Sequence, residues 1–150
     1  MDRCWGLTGS GTNGRYLREP NYEDAIMNEY KYFSNDELKC SHTGNCLMDP
    51  SFMITLEAIR IKCDFPFTIT SAYRDPSHPI EAKKAKPGSH ASGRAVDIAV
   101  RGDKAVKLIK VALSFGITGI GVQQKGGARF IHLDDLGIAD GFARPNIWSY

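Results

Sequence analysis

The chain has 150 residues, 42% of them hydrophobic and 24% charged, with 19 Lys and Arg against 17 Asp and Glu for a formal charge of +2. These values fit one soluble globular domain with a single core and exclude intrinsic disorder of the whole chain, while the near balance of charge argues against nucleic acid as a partner. No run approaches the ~18 consecutive apolar residues of a membrane helix; the first thirty residues hold no apolar leader core, so synthesis in the cytoplasm is expected, with another route of release if the protein acts outside.

Residues 1–24 read as a loop-rich arm, with Gly6, Gly9, Gly11 and Gly14 among Ser, Thr and Asn. Trp5, Tyr16, Leu17 and Tyr22 leave open whether this arm packs on a core or stays disordered. Ser34-Asn35-Asp36-Glu37 has capping-box spacing and predicts a short helix. Asp49-Pro50 predicts a second helix start, after which Phe52, Leu56, Ile59 and Cys63 recur on one face. Phe67–Ser71 predicts a strand, and the Pro-rich stretch that follows holds room for one short helix around Ile80–Ala85.

Arg94–Val100 predicts a second strand, with Ala95, Asp97 and Ala99 on one face and Val96, Ile98 and Val100 on the other. Asp103–Phe115 carries the clearest helical pattern, with Val106, Ile109 and Leu113 on one face and Gly116 at its end. Ile117–Gln123 and Arg129–Asp134 predict two more strands joined by a turn at Lys125-Gly126-Gly127. Helices first and short strands later, without regular βαβ alternation, predict an α+β domain built on a small antiparallel sheet with flanking helices.

The chemistry concentrates in two places. Ser89-His90-Ala91-Ser92-Gly93-Arg94-Ala95-Val96-Asp97 sets a loop histidine seven residues before a strand carboxylate, a separation that excludes one helical face but allows a turn at Gly93 to bring the two together. Phe130-Ile131-His132-Leu133-Asp134 places His132 and Asp134 on one strand face, with Asp135 turned away. Two imidazoles and a carboxylate form a donor set suited to Zn²⁺ with an open position for water. Spacing alone does not separate such a site from a surface histidine and a solvated aspartate.

Ser-x-His-x-x-Gly-x-Ala-x-Asp with a downstream Phe-Ile-His-Leu-Asp resembles the zinc D-Ala-D-Ala carboxypeptidase family, which includes phage cell-wall endopeptidases and shares its zinc site with the hedgehog signalling domain. The resemblance extends from about Tyr32 to Tyr150 through Phe33-Ser34, Glu37-Leu38, Thr70-Ser71-Ala72-Tyr73-Arg74 and Gly119-Ile120-Gly121-Val122. It implies one catalytic Zn²⁺ held by His90, Asp97 and His132, with Arg74 stabilising the oxyanion. Many relatives carry a Glu three residues before the second histidine; that position is Arg129 here, so Asp134 is the expected general base, with orientation of His132 as its alternative role.

Lesser candidates follow. Ser89, Tyr73, His78 and Trp148 are candidate substrate contacts, although turn, loop and core roles are the simpler readings for Ser89, His78 and Trp148, and Tyr150 is read with Trp148 as closing the core. Lys83, Lys84 or Lys86 could hold a substrate carboxylate. Cys40-Ser41-His42 with Cys46, completed by Cys4, has the spacing of a second, structural metal site; unpaired thiols or a disulfide are the favoured reading, and Cys63 belongs to the buried helix stripe. The expectation is a monomeric zinc peptidase, one domain over 1–150, cutting an amide bond in peptidoglycan stem peptides as carboxypeptidase or endopeptidase. It would act on the wall after phage lysis or as a virion component, without nucleic-acid or membrane partners. A non-catalytic zinc-binding module of the same fold and a structural virion or wall protein with a vestigial site are the alternatives.

Overall fold

The computed structural model describes residues 30–150; the predicted N-terminal arm and Cys4 lie outside the described residues. Helix α1 (Asn35–Leu38) begins at the predicted capping box, where the Ser34 N–H donates to Glu37 Oε2 at 3.0 Å and the Glu37 N–H returns a bond to Ser34 Oγ. Helix α2 (Pro50–Cys63) starts at Asp49, whose Oδ1 accepts from the Phe52 N–H at 2.9 Å, a donor that the first helical turn leaves without an intrahelical partner. It buries Phe52, Met53, Leu56, Ile59 and Cys63, which includes the predicted stripe.

Five strands follow: β1 (Thr68–Ser71), β2 (Ala95–Ala99), β3 (Gly119–Gln123), β4 (Phe130–Asp134) and β5 (Asn146–Ser149). They form one sheet in the order β1-β2-β4-β3-β5. The first three contacts across it are antiparallel, but β5 lies parallel to β3. The purely antiparallel sheet expected from the sequence is therefore corrected to a mixed one. The missed strand Asn-Ile-Trp-Ser follows a proline and is short, and its pairing partner is 27 residues away in register (Gly119 with Asn146), which no local pattern reveals.

Helix α3 (Pro79–Ala82) and a 3-10 turn (Ser89–Ser92) occupy the Pro-rich stretch, and helix α4 (Asp103–Ser114) lies between β2 and β3. The buried face of α4 is Ala105, Leu108, Val111 and Ala112, while Val106 and Leu113 are exposed. The face predicted from Val106, Ile109 and Leu113 is thus rotated, and Ile109 is partly buried against the core. Among the described residues, no helix is long and apolar enough to cross a membrane.

Alternation divides the sheet's duties. Val96, Ile98, Ile120, Ile131 and Leu133 belong to the core with Phe52, Leu56, Ile59 and Leu108, so Asp97, His132 and Asp134 point to the opposite face. Burial of Leu56 is complete. Leu56→Ala is expected to lower unfolding free energy by about 2–5 kcal/mol, read from the midpoint of a urea transition with unchanged m-value.

Candidate active site

The register of β2 and β4 sets Asp97 opposite His132, and residues so paired stand side by side on one face. His132 Nδ1 lies 2.9 Å from Asp97 Oδ1. His90 arrives from the 3-10 turn. Gly93 ends that turn at φ 74°, and a Cβ there would collide with the Leu47 carbonyl oxygen, so glycine both makes the turn and admits the neighbouring backbone. The reversal carries His90 back over β2, with Nε2 at 3.3 Å from Asp97 Oδ2. Ligating atoms of His90, Asp97 and His132 all lie within 4.8 Å of one another, the sole such group of three or more among the described residues. Cys40, His42 and Cys46 do not form one.

Each ring has its remote nitrogen engaged. His90 Nδ1 is 2.8 Å from the Ala72 carbonyl oxygen, which can only accept, so Nε2 is the lone-pair nitrogen of the neutral ring. His132 Nε2 is 2.7 Å from Asp134 Oδ2, which likewise assigns Nδ1 to the cluster. With the remote nitrogens so engaged, His90 Nε2 and His132 Nδ1 both face the Asp97 carboxylate. Burial opposes the charge on Asp97, yet His132 and His90 outweigh it and hold its carboxyl well below the usual range. Burial also disfavours a charged His132, but Asp134 and Asp97 together raise its pKa. Two imidazoles and an ionised carboxylate, with tautomers already assigned, fit a zinc ion.

Asp134 is wholly buried. Arg144 donates to it twice, from Nε to Oδ1 at 2.9 Å and from Nη2 to Oδ2 at 2.8 Å, and the Leu136 N–H adds a bond to Oδ1 at 3.3 Å. Burial alone would raise its pKa; Arg144 and His132 outweigh that and lower it well below the ordinary value. Both oxygens of this carboxylate are thus engaged, Oδ1 by Arg144 and the Leu136 N–H and Oδ2 by Arg144 and His132.

Arg74 follows β1 and lies beside the His90 turn, its N–H donating to the His90 carbonyl at 3.1 Å. Its guanidinium donates to Ser71 Oγ and to Glu81 Oε1, both at 3.0 Å. Glu81, absent from the sequence-based candidates, is a buried carboxylate on α3 that also accepts from Lys84 Nζ at 2.9 Å and from the Gly88 N–H at 2.7 Å. Burial would raise its pKa, but the Gly88 N–H, Lys84 and Arg74 together bring it to about 2. Of the three lysines considered for a substrate carboxylate, Lys84 is committed to Glu81 and Lys86 to the Gly141 carbonyl and the Phe142 ring, while Lys83 is exposed.

The remaining candidates divide. Tyr73 is buried, with its N–H on the Leu38 carbonyl, and lines a cavity of about 220 Å³ with Ser71, Arg74 and His78. His78 also caps α3 through Nδ1, and the Ser89 carbonyl accepts from Ser92 Oγ inside the 3-10 turn. Trp148 packs its ring 5.1 Å from that of His132, and exposed Tyr150 lies 6.5 Å beyond it. Burial raises the Tyr150 pKa, with Asp97 and Asp134 adding to this against Trp148 and Arg74. The expectation that these two aromatics close the core is corrected: they frame the site. Asp135 turns away as predicted, paired with Arg94 at 2.8 Å.

A His-Asp-His cluster on one face of an α+β sheet, with an arginine on the neighbouring strand end, is compatible with a metallopeptidase-type centre. The sequence profile of the family described as Peptidase M15 matches residues 31–134. The chain belongs to that family of zinc metallopeptidases. Comparison with curated proteins and with solved structures gives no significant match.

Because Glu81 has a lowered pKa in the folded state, its contribution is complete above the unfolded value of 4.5 and is lost as pH falls toward about 2. Glu81→Gln is expected to lower stability at neutral pH by on the order of 2–3 kcal/mol. The gap between variant and wild type should narrow between pH 5 and pH 2 in urea titrations; a gap independent of pH would refute the assignment.

Proposed function

We propose that the protein is a zinc-dependent peptidase that hydrolyses an amide bond in the stem peptides of peptidoglycan. The observation that carries this reading is the convergence of His90 Nε2, Asp97 and His132 Nδ1 beside Arg74, in a chain of the M15 family. A zinc ion held by these three residues supplies Lewis acidity toward a carbonyl and lowers the pKa of water toward ~7. The protein's own groups supply the rest. The Ala72 carbonyl and Asp134 fix the two rings. Arg74, held from behind by Glu81 and Ser71, offers a cation where negative charge develops on the carbonyl oxygen. Asp134 serves in this reading to orient His132.

A second reading is a zinc-binding module without hydrolytic activity. It is favoured by Arg129, which stands where many relatives carry Glu and turns its Nε to the Gly126 carbonyl, and by the full commitment of Asp134. Zinc binding by a wild-type protein inert toward muropeptides would establish it.

His90→Ala and His132→Ala are expected to abolish zinc binding and hydrolysis together. Arg74→Ala should keep zinc and lose about 10²–10³-fold in kcat. Mass spectrometry of digested muropeptides reads the bond and the rate at once; hydrolysis undiminished in either histidine variant would overturn the proposal.

A further inference from the structure

The C-terminal strand lies outside the segment that the family profile matches, yet it reaches the centre of the site. Arg144 forks onto both oxygens of Asp134, and Asp134 in turn holds His132 Nε2. Side-chain exposure along this chain is 8% for Arg144, 0% for Asp134 and 2% for His132, so solvent neither screens nor replaces these bonds. Trp148 closes the assembly from the side: its ring lies 5.1 Å from that of His132 and has the Arg144 guanidinium 4.8 Å above it. Two contacts, from Asp134 and Trp148, thus converge on one imidazole, and Arg144 touches both partners.

β3 is shaped to admit this clasp. A Cβ at Gly119 would stand 2.2 Å from Asp134 Oδ1 and 2.4 Å from Arg144 Nε. At Gly121 it would stand 2.8 Å from Trp148 Nε1. Gly-Ile-Gly therefore leaves vacant the two positions that Arg144 with Asp134, and Trp148, occupy above the strand.

We propose that Arg144 is a positioning residue for the metal centre, acting through Asp134 to fix the ring plane and tautomer with which His132 presents Nδ1. This rests on the reading of His90, Asp97 and His132 as metal ligands and is independent of whether the protein hydrolyses anything. A lysine at position 144 can supply charge but not two parallel N–H donors to one carboxylate. Arg94, which binds Asp135 and Asp140 on the other side of β4's end, offers a matched control because neither carboxylate touches a ligand.

The test is zinc affinity of the full chain by chelator competition, with the Co²⁺ ligand-field spectrum as second readout, for wild type, Arg144→Lys, Arg144→Gln and Arg94→Lys. Folding is checked by circular dichroism. Both Arg144 variants are expected to bind zinc about 10–100-fold more weakly and to shift the Co²⁺ bands, with Arg94→Lys within about twofold of wild type. Wild-type affinity and spectrum in a folded Arg144 variant would overturn the proposal, as would an equal loss in Arg94→Lys or failure of both Arg144 variants to fold. Wild-type protein that binds zinc but cleaves no muropeptide would defeat the peptidase reading alone; wild-type protein that binds no zinc would defeat both.

Discussion

The antiparallel register of β2 against β4 is the constraint on which the site depends. Pairing Asp97 with His132 brings a carboxylate and an imidazole together without either leaving its strand. A shift of one residue would turn both onto the core face and expose Val96 and Leu133. The burial of Ile98, Ile131 and their neighbours in the core therefore holds Asp97 and His132 in place as firmly as it holds the fold. The same pairing continues across the sheet: Ser71, Asp97, His132, Gly121 and Trp148 form one transverse row over five strands. Every member has a part in the site, either as ligand, as partner of Arg74, as ring against His132, or as the space that ring requires.

Charge explains why this row is not a defect in a buried sheet. Asp97, His132, Asp134 and Arg144 would each be costly to bury alone. Together their donors and acceptors match, with the carboxylates held ionised by the imidazoles and the guanidinium. Glu81 repeats the pattern beside them, accepting from Arg74, Lys84 and the Gly88 N–H. Since Gly88 precedes the turn that carries His90, one buried carboxylate fastens both the arginine and the segment that delivers a metal ligand. The two halves of the site are thereby tied through α3 as well as through the Arg74 N–H to the His90 carbonyl.

What was legible in the sequence follows the range of each interaction. The Ser34 and Asp49 caps and the α2 stripe are set within a few residues, and the structure shows them where local chemistry puts them. His90, Asp97 and His132 could be grouped because their motif spacing resembles a known family and because Gly93 marks a reversal. Arg144, Glu81 and β5 were not legible: a buried arginine, a buried glutamate and an edge strand look like surface residues until their distant partners are known. One signal was present and unread. Two glycines alternating in a strand, Gly119 and Gly121, weaken β propensity and mark a close approach by something bulky. The buried face of α4 (Ala105, Leu108, Val111 and Ala112) sits one step round from Val106, Ile109 and Leu113, a difference that apolar spacing alone does not resolve in a helix rich in apolar residues.

The clasp also bears on how Asp134 is held. A general base works best with a pKa near the operating pH and an oxygen within reach of water. Here Arg144 lowers the pKa and, with His132 and the Leu136 N–H, occupies the oxygens. Those same features make a good second support for a ligand, because an ionised, immobile carboxylate fixes a ring more strictly than a mobile one. Arg129 is directed to the Gly126 carbonyl, and Arg144, Asp134 and His132 form one buried chain that ends at Asp97.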